Sequence, residues 1–323
     1  MSRIHEALKK AEQERAAQHG SEATQTLFVP AAVISAPVDS VRPGAPLASS
    51  VEAPPELPSL APAKVSTSHL RFDDLRARCV KAKWHLDPSV NVFCNSDPST
   101  RGAEQFRTLR SRLYQLRTNQ ALRTLLVTSS IPGEGKTFVT NNLAQAIVRQ
   151  PDRRALVIDA DLRRPRLHIP LGAPLAPGLT DYLRGEADEL QVIQHGQEGN
   201  LCFIPGGNEV TNPSELLSNG RLKTLLDRVT PVFDWVVLDS PPCLPVADAS
   251  VLADMCDGVL LVVRAASTPS ELAQKASQEL QGSNIIGVVL NAVEKNDLYD
   301  KYYYERYGYG VEPPEGTGAI TSR

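Results

Sequence analysis

One stretch limits what this chain can fold into more than any other. An apolar run, Leu125-Leu126-Val127, leads into Ser129-Ser130-Ile131-Pro132-Gly133-Glu134-Gly135-Lys136-Thr137, and a helical pattern follows from Phe138 to Arg149. Strand, glycine-containing loop and helix in that order make an anion site, because backbone N–H groups of the loop and of the helix N-terminus converge on one point. Gly133 and Gly135 allow close backbone approach or a positive φ. Lys136 can reach the β- and γ-phosphates of a nucleotide, and Thr137 can offer its hydroxyl to Mg²⁺. The general pattern is G-x-x-x-x-G-K-[ST], and here Ser130 stands in place of the first glycine. Pro132, Gly133, Glu134, Gly135, Lys136, Thr137 and Phe138 are the candidate nucleotide-binding residues.

From Leu122 onward, apolar strand candidates alternate with helical patterns. The strands are Leu125–Thr128, Ala155–Ile158, Val236–Leu238, Val259–Val263 and Ile285–Leu290. Arg221–Val229 reads as a helix with Leu222, Leu225, Leu226 and Val229 on one face. Another helix follows Pro269 and Ser270, with Leu272, Ala276 and Leu280 aligned. Continuous apolar strands separated by helices imply an α/β fold with a mostly parallel sheet buried on both faces. Ligands of such folds sit at the carboxyl ends of the strands, where the candidate site residues lie.

Two strands end in carboxylates. The second closes as Ile158-Asp159-Ala160-Asp161-Leu162-Arg163, and a later one as Val237-Leu238-Asp239-Ser240-Pro241-Pro242. Mg²⁺ takes carboxylate and water oxygens in a near-octahedral shell. Asp159 and Asp161 can therefore share metal binding and proton acceptance, and Asp239 can support the ion directly or through water. Lys136, Asp159, Asp161 and Asp239 are the candidate catalytic residues, with Thr137, Asp161 and Asp239 as metal ligands. Asn291, at the end of the last strand, is a positional candidate for the adenine contact.

A net charge of -3 gives no electrostatic case for nucleic acid. Cys79, Cys94, Cys202, Cys243 and Cys256 lie far apart with no C-x-x-C pair, which fits a reducing cytoplasm better than a disulfide framework. No apolar run approaches the roughly 18–20 residues that span a bilayer, and no signal core precedes the rest. The expectation is a cytoplasmic protein, held at the membrane, if at all, by a partner or a surface helix.

Outside the sheet, residues 1–16 read as a short helix with Ile4, Ala7, Leu8 and Ala11 on a narrow stripe, either frayed or a docking element. Residues 17–68, rich in Pro, Ala and Ser, cannot build a core and form a tether of about 40 Å. Order is expected from 69 to 295, with Trp84, Val90, Val92 and Phe93 in a short strand or ordered arm. A helix runs from about Gly102 to Arg117, capped by Ser99 or Thr100, with Phe106, Leu109, Leu113 and Leu116 on one face. Glu104, Arg107 and Arg110 fall on the other side. The tail, 296–323, gathers Tyr299, Tyr302, Tyr303, Tyr304, Tyr307 and Tyr309, six of the eight tyrosines of the chain. Such a cluster is either a packing element or a set of phenols offered to an active site, each phosphorylation adding about -1.5 to -2 charge.

Together these residues resemble the bacterial protein-tyrosine kinases of capsule and exopolysaccharide assembly. Ser129–Thr137 is similar to the family's Walker A loop, Ile158–Arg163 to its Walker A′ motif and Val236–Pro242 to its Walker B. Glu104, Arg107 and Arg110 match its E-x-x-R-x-x-R helix, and Tyr299–Tyr309 its tyrosine cluster. Asn212–Leu217 and Pro245–Ala249 also look like the family. The resemblance spans roughly residues 90–310. It implies ATP and Mg²⁺ as cofactors and autophosphorylation of the six tail tyrosines in trans. It also implies a homo-oligomeric ring with Glu104, Arg107 and Arg110 at its interface, and a separate membrane polysaccharide co-polymerase as activator. A cognate tyrosine phosphatase is a further expected partner. The alternative is a MinD/ParA-like switch ATPase that phosphorylates nothing. Such proteins typically carry a second lysine early in the loop, where this chain has Ile131, and they offer no reason for the tail. A non-catalytic scaffold is a third reading, opposed by the intact Lys136 and aspartates.

Overall fold

The computed structural model describes residues 71–94, 101–196 and 199–293. The expected helix at 1–16, the tether at 17–68, the capping Ser99 or Thr100 and the tyrosine segment 296–323 lie outside them. The chain order begins with α1 (Phe72–Arg78), β1 (Val80–Lys81), α2 (Arg101–Asn119), β2 (Thr124–Ser129), α3 (Lys136–Val148) and β3 (Ala155–Asp159). The short elements α4 (His168–Leu171), α5 (Leu179–Arg184), α6 (Glu189–Val192), β4 (Gln194–His195) and β5 (Leu201–Ile204) follow. The chain continues through α7 (Pro213–Ser218), α8 (Arg221–Val229), β6 (Trp235–Asp239) and α9 (Asp248–Ala253) to β7 (Gly258–Arg264), α10 (Ser270–Glu279) and β8 (Ile285–Asn291).

The eight strands form one sheet in the order β1-β4-β5-β3-β6-β2-β7-β8, parallel throughout except for the β4–β5 pair. Alternation along the strands explains why both faces are covered. Leu126, Leu156, Ile158 and Leu238 point to one layer, against Leu222 and Leu225 of α8 and Leu252 of α9. Leu125, Val127, Val157 and Val237 point to the other, against Phe106 of α2 and Leu143 and Ile147 of α3. Every residue of β2, β3 and β6 is buried. The five expected strands and the helix at Arg221–Val229 are present. The strands β1, β4 and β5 were not anticipated.

Order β3-β6-β2 decides where the site lies. Val127 pairs with Asp239 and Asp159 pairs with Asp239, so three strand tips end level. The loop after β2 therefore sits beside both acidic motifs, at the point where successive crossovers diverge.

The segment around Val90–Phe93 is an irregular arm rather than a strand. Buried Asn91 fixes it, donating to the carbonyls of Asp87 (2.7 Å) and Pro170 (2.8 Å) and accepting from Asn141 of α3 (2.6 Å). Asn142 accepts from the Val92 N–H at 2.9 Å. Helix α2 packs on α3 through Phe106, whose ring meets Phe138 edge-on at 5.8 Å. Its charged face is not wholly solvated. Arg110 is half-buried and donates to the Ala146 carbonyl in the last turn of α3 at 2.6 Å, satisfying an end that the helix itself leaves open. Glu104 and Arg107 pair with each other.

Candidate active site

The loop between β2 and α3 takes its shape from two glycines. Gly133 and Gly135 have φ of 89° and 94°, a region that other residues enter only with strain. A Cβ on Gly135 would also meet the Asn291 side-chain nitrogen at 2.0 Å. Asn291 donates that nitrogen to the Glu134 carbonyl at 2.9 Å, so it braces the loop from the end of β8. The Glu134 side chain is buried and turns inward. Its carboxylate accepts from the Ile131 N–H (2.8 Å) and the Thr268 hydroxyl (2.6 Å), and Arg264 donates to the Gly133 carbonyl at 3.2 Å. A cavity of about 480 Å³ opens between this loop and residues 264–268. Thr268 and Arg264 were not foreseen as parts of the loop's support.

The loop's last two residues reach the neighbouring strands. Lys136 Nζ lies 2.8 Å from Asp161 Oδ2. Thr137 donates its hydroxyl to Asp239 Oδ2 at 2.6 Å, and Thr140, one turn on, lies 3.4 Å from the other oxygen of that carboxylate. Asp159 is fully buried and accepts from the backbone N–H groups of Leu167 (2.9 Å) and Asp161 (3.3 Å). Of the residues expected at the site, Lys136, Thr137, Asp159, Asp161 and Asp239 are thus brought together. The Phe138 ring is engaged with α2, and the six tyrosines lie outside the described residues.

Charge crowding tunes these groups. Burial, then the nearby Asp239, pushes the Asp159 carboxyl well above the usual carboxylate range. Burial also raises Asp239, although Lys136 and the Thr137 hydroxyl pull the other way. Burial disfavours the Lys136 ammonium, but Asp239 and Asp161 outweigh it and hold the ammonium above its ordinary value. The site so arranged holds a fixed cation and three carboxylates around one loop.

The donor set suits Mg²⁺. Thr137, Asp161 and Asp239 offer hard oxygens, and Mg²⁺ takes one or two carboxylates and completes its shell with water and phosphate oxygens. The buried Ser130 hydroxyl has no partner among the described residues, as expected in a loop built to close on an anion.

Sequence reasoning left two stretches without a role, and the structure joins them. Arg163 donates to Asp248 through Nε (2.7 Å) and Nη2 (3.1 Å), and through Nη2 to the Ser214 hydroxyl (3.0 Å). Ser214 in turn donates to Asp248 at 2.6 Å. This knot ties α7 and α9 to the turn that carries Asp161. In sequence these residues are marked only by the resemblance of Asn212–Leu217 and Pro245–Ala249 to the family.

A family model described as the CobQ/CobB/MinD/ParA nucleotide binding domain matches residues 125–311. Tyrosine-protein kinase YwqD of Bacillus subtilis is 33% identical over 216 residues, which cover 66% of this chain and 90% of that protein. The putative tyrosine-protein kinase EpsB of Ralstonia solanacearum is 38% identical over 235 residues, 69% of this chain but only 31% of that longer protein. The chain therefore spans nearly all of the first relative and about a third of the second. Among solved structures, the kinase domain of Escherichia coli tyrosine kinase ETK superposes with a TM-score of 0.58 at 33% identity, covering 68% of this chain and 84% of that one.

Proposed function

The chain belongs to the bacterial tyrosine-protein kinases, within the CobQ/CobB/MinD/ParA nucleotide-binding family, and from that membership we propose how its own residues move phosphate from ATP to tyrosine. The contacts of Lys136 with Asp161 and of Thr137 with Asp239, at three adjacent strand tips, carry the reading.

Backbone N–H groups from Gly133 to Phe138 cradle the phosphates, and Lys136 leaves Asp161 to meet the β- and γ-oxygens. Thr137, Asp161 and Asp239 would hold Mg²⁺, which when bound neutralises charge on the transferring phosphoryl group. Asp159 accepts the phenol proton as the tyrosine oxygen bonds to the γ-phosphorus and the bond to the departing ADP breaks. A carboxyl whose affinity for protons is raised by burial is suited to that acceptance. The rest is positioning and charge stabilisation, which suffices for this class of transfer.

The acceptors are Tyr299, Tyr302, Tyr303, Tyr304, Tyr307 and Tyr309 of a second copy of the chain. Glu104, Arg107 and Arg110 serve the contact between copies. For Arg110 this requires releasing, or sharing, the Ala146 carbonyl. Among the described residues no helix is long and apolar enough to cross a membrane, and the activator in this reading is a separate membrane co-polymerase of polysaccharide export. Regulation of that export is the role assigned to the kinase, with a tyrosine phosphatase resetting it.

Incubating the purified chain with γ-labelled ATP, with and without the activator's cytosolic segment, tests this. Label on tyrosine is expected, and stimulation by the segment. Free phosphate without phosphotyrosine would mean a switch ATPase instead.

A further inference from the structure

We propose that Thr268, in the turn after β7, is a positioning residue for ATP: through the buried Glu134 carboxylate it holds the phosphate loop in its anion-binding shape. The proposal rests on the nucleotide-loop part of the reading above. It adds a residue, distant in sequence from the loop, that sets affinity for ATP without entering the transfer step.

Glu134 stands between two positive-φ glycines and is only 2% exposed. Among the described residues no cation lies within ion-pairing distance of it. Neutral donors hold the carboxylate instead. Oε1 accepts from the Thr268 hydroxyl at 2.6 Å and lies 3.4 Å from the Arg264 backbone nitrogen, and Oε2 accepts from the Ile131 N–H at 2.8 Å. The Thr268 bond is the shortest of the three. A buried carboxylate with no cation depends wholly on such bonds, and removing one donor leaves a desolvated charge without its partner.

The two sides of that bond differ in stiffness. The Thr268 N–H donates to the Arg264 carbonyl at 3.1 Å, which closes the turn. Strand β7 below it is paired on both edges, with β2 and with β8. The loop is the softer side. A Cβ on Gly133 would meet nothing within 4 Å, and glycines flank Glu134 on both sides. A carboxylate that loses the Thr268 hydroxyl therefore regains water by swinging out with the loop. The loop carbonyls show what that swing undoes. Those of Gly133 and Glu134 are tied to the Arg264 guanidinium (3.2 Å) and the Asn291 amide (2.9 Å). With its acceptors turned toward the ends of β7 and β8, the loop has its N–H groups left to face an anion. Among the described residues the Thr268 hydroxyl bonds Glu134 and none of Lys136, Thr137, Asp159, Asp161 or Asp239. Its effect is therefore on how tightly the nucleotide is held, not on the rate once the site is full.

Thr268→Val, close in shape but without the hydroxyl, tests this in the full-length chain. Affinity for a fluorescent ADP analogue is expected to fall about tenfold. In phosphotyrosine formation the KM for ATP should rise with kcat nearly unchanged, as when binding common to ground and transition states is lost. Thr268→Ser keeps the hydroxyl and should recover most of the affinity. In a Glu134→Ala chain, adding Thr268→Val should change nothing further, because the hydroxyl acts only through the carboxylate. Unchanged affinity in Thr268→Val overturns the proposal. So does a serine variant as weak as the valine one, a kcat that falls along with affinity, or losses that add in the double variant. Analogue binding is read without transfer, so an unaltered chain that binds it yet forms no phosphotyrosine counts against the kinase reading alone.

Discussion

Asp248 is fully buried yet charged by its surroundings. Burial alone would raise its carboxyl, but hydrogen bonds from Arg163 and Ser214 outweigh it and hold the group below its ordinary value. A depressed carboxyl contributes stability that is present above its unfolded pKa of about 3.9 and is lost as pH falls through the folded value. Asp248→Asn is therefore expected to cost about 1–2 kcal/mol at pH 7, discounted because Arg163 is partly solvated, with the deficit shrinking below about pH 4. Urea unfolding at pH 7, 5 and 3 measures it, and a deficit independent of pH would mean that the charge is not what matters. At Gly135 two constraints meet, a positive φ and the Asn291 nitrogen. Gly135→Ala should lose nucleotide affinity, read with a fluorescent ATP analogue. Adding Asn291→Ala should restore only part of it, since the backbone strain of about 1–2 kcal/mol stays. Full restoration would place the whole effect in the clash.

Elements divide by how loudly they register in sequence. Strands β2, β3, β6 and β7 are runs of apolar residues buried on both faces, and such runs are legible without a structure. Strands β1 and β4 have two residues each and show no period. Gln194 and His195 are polar, buried and read as loop. The phosphate loop and its aspartates are legible because they occur together: an aspartate that ends a strand is common alone, but a Gly-Lys-Thr loop followed by two such strand ends is not. The Arg163–Asp248–Ser214 knot was not, because its members are separated by up to 85 residues and each alone resembles an ordinary surface or capping group. The inward turn of Glu134 was equally hidden, since a glutamate between two glycines looks solvated. Helix α3 is held to the arm before α2 by Asn91, and Asn91→Ala would remove two donor bonds and strand the Asn141 amide. A loss of about 2 kcal/mol is expected, with faster proteolysis of residues 85–94 and little change in nucleotide affinity. A large loss of affinity would show that the arm supports the loop directly.

At the scale of the molecule, one sheet brings a triphosphate loop and three carboxylates to a single edge, and the reading requires a second copy of the chain to present its phenols there. The core that sets this edge tolerates little. Leu126→Ala, at the centre of β2, is expected to cost about 3 kcal/mol and lower the melting temperature. An unchanged midpoint would mean that the layer repacks. A mixing assay addresses the transfer itself. One chain keeps Lys136 but has all six tail tyrosines replaced by phenylalanine, and the other carries Lys136→Met with its tail intact. Neither should label alone with γ-labelled ATP, and together they should give phosphotyrosine on the Lys136→Met chain, lost when the donor also carries Asp159→Asn. Label on the Lys136→Met chain by itself, or none in the mixture under conditions where the unaltered chain labels, would contradict the account.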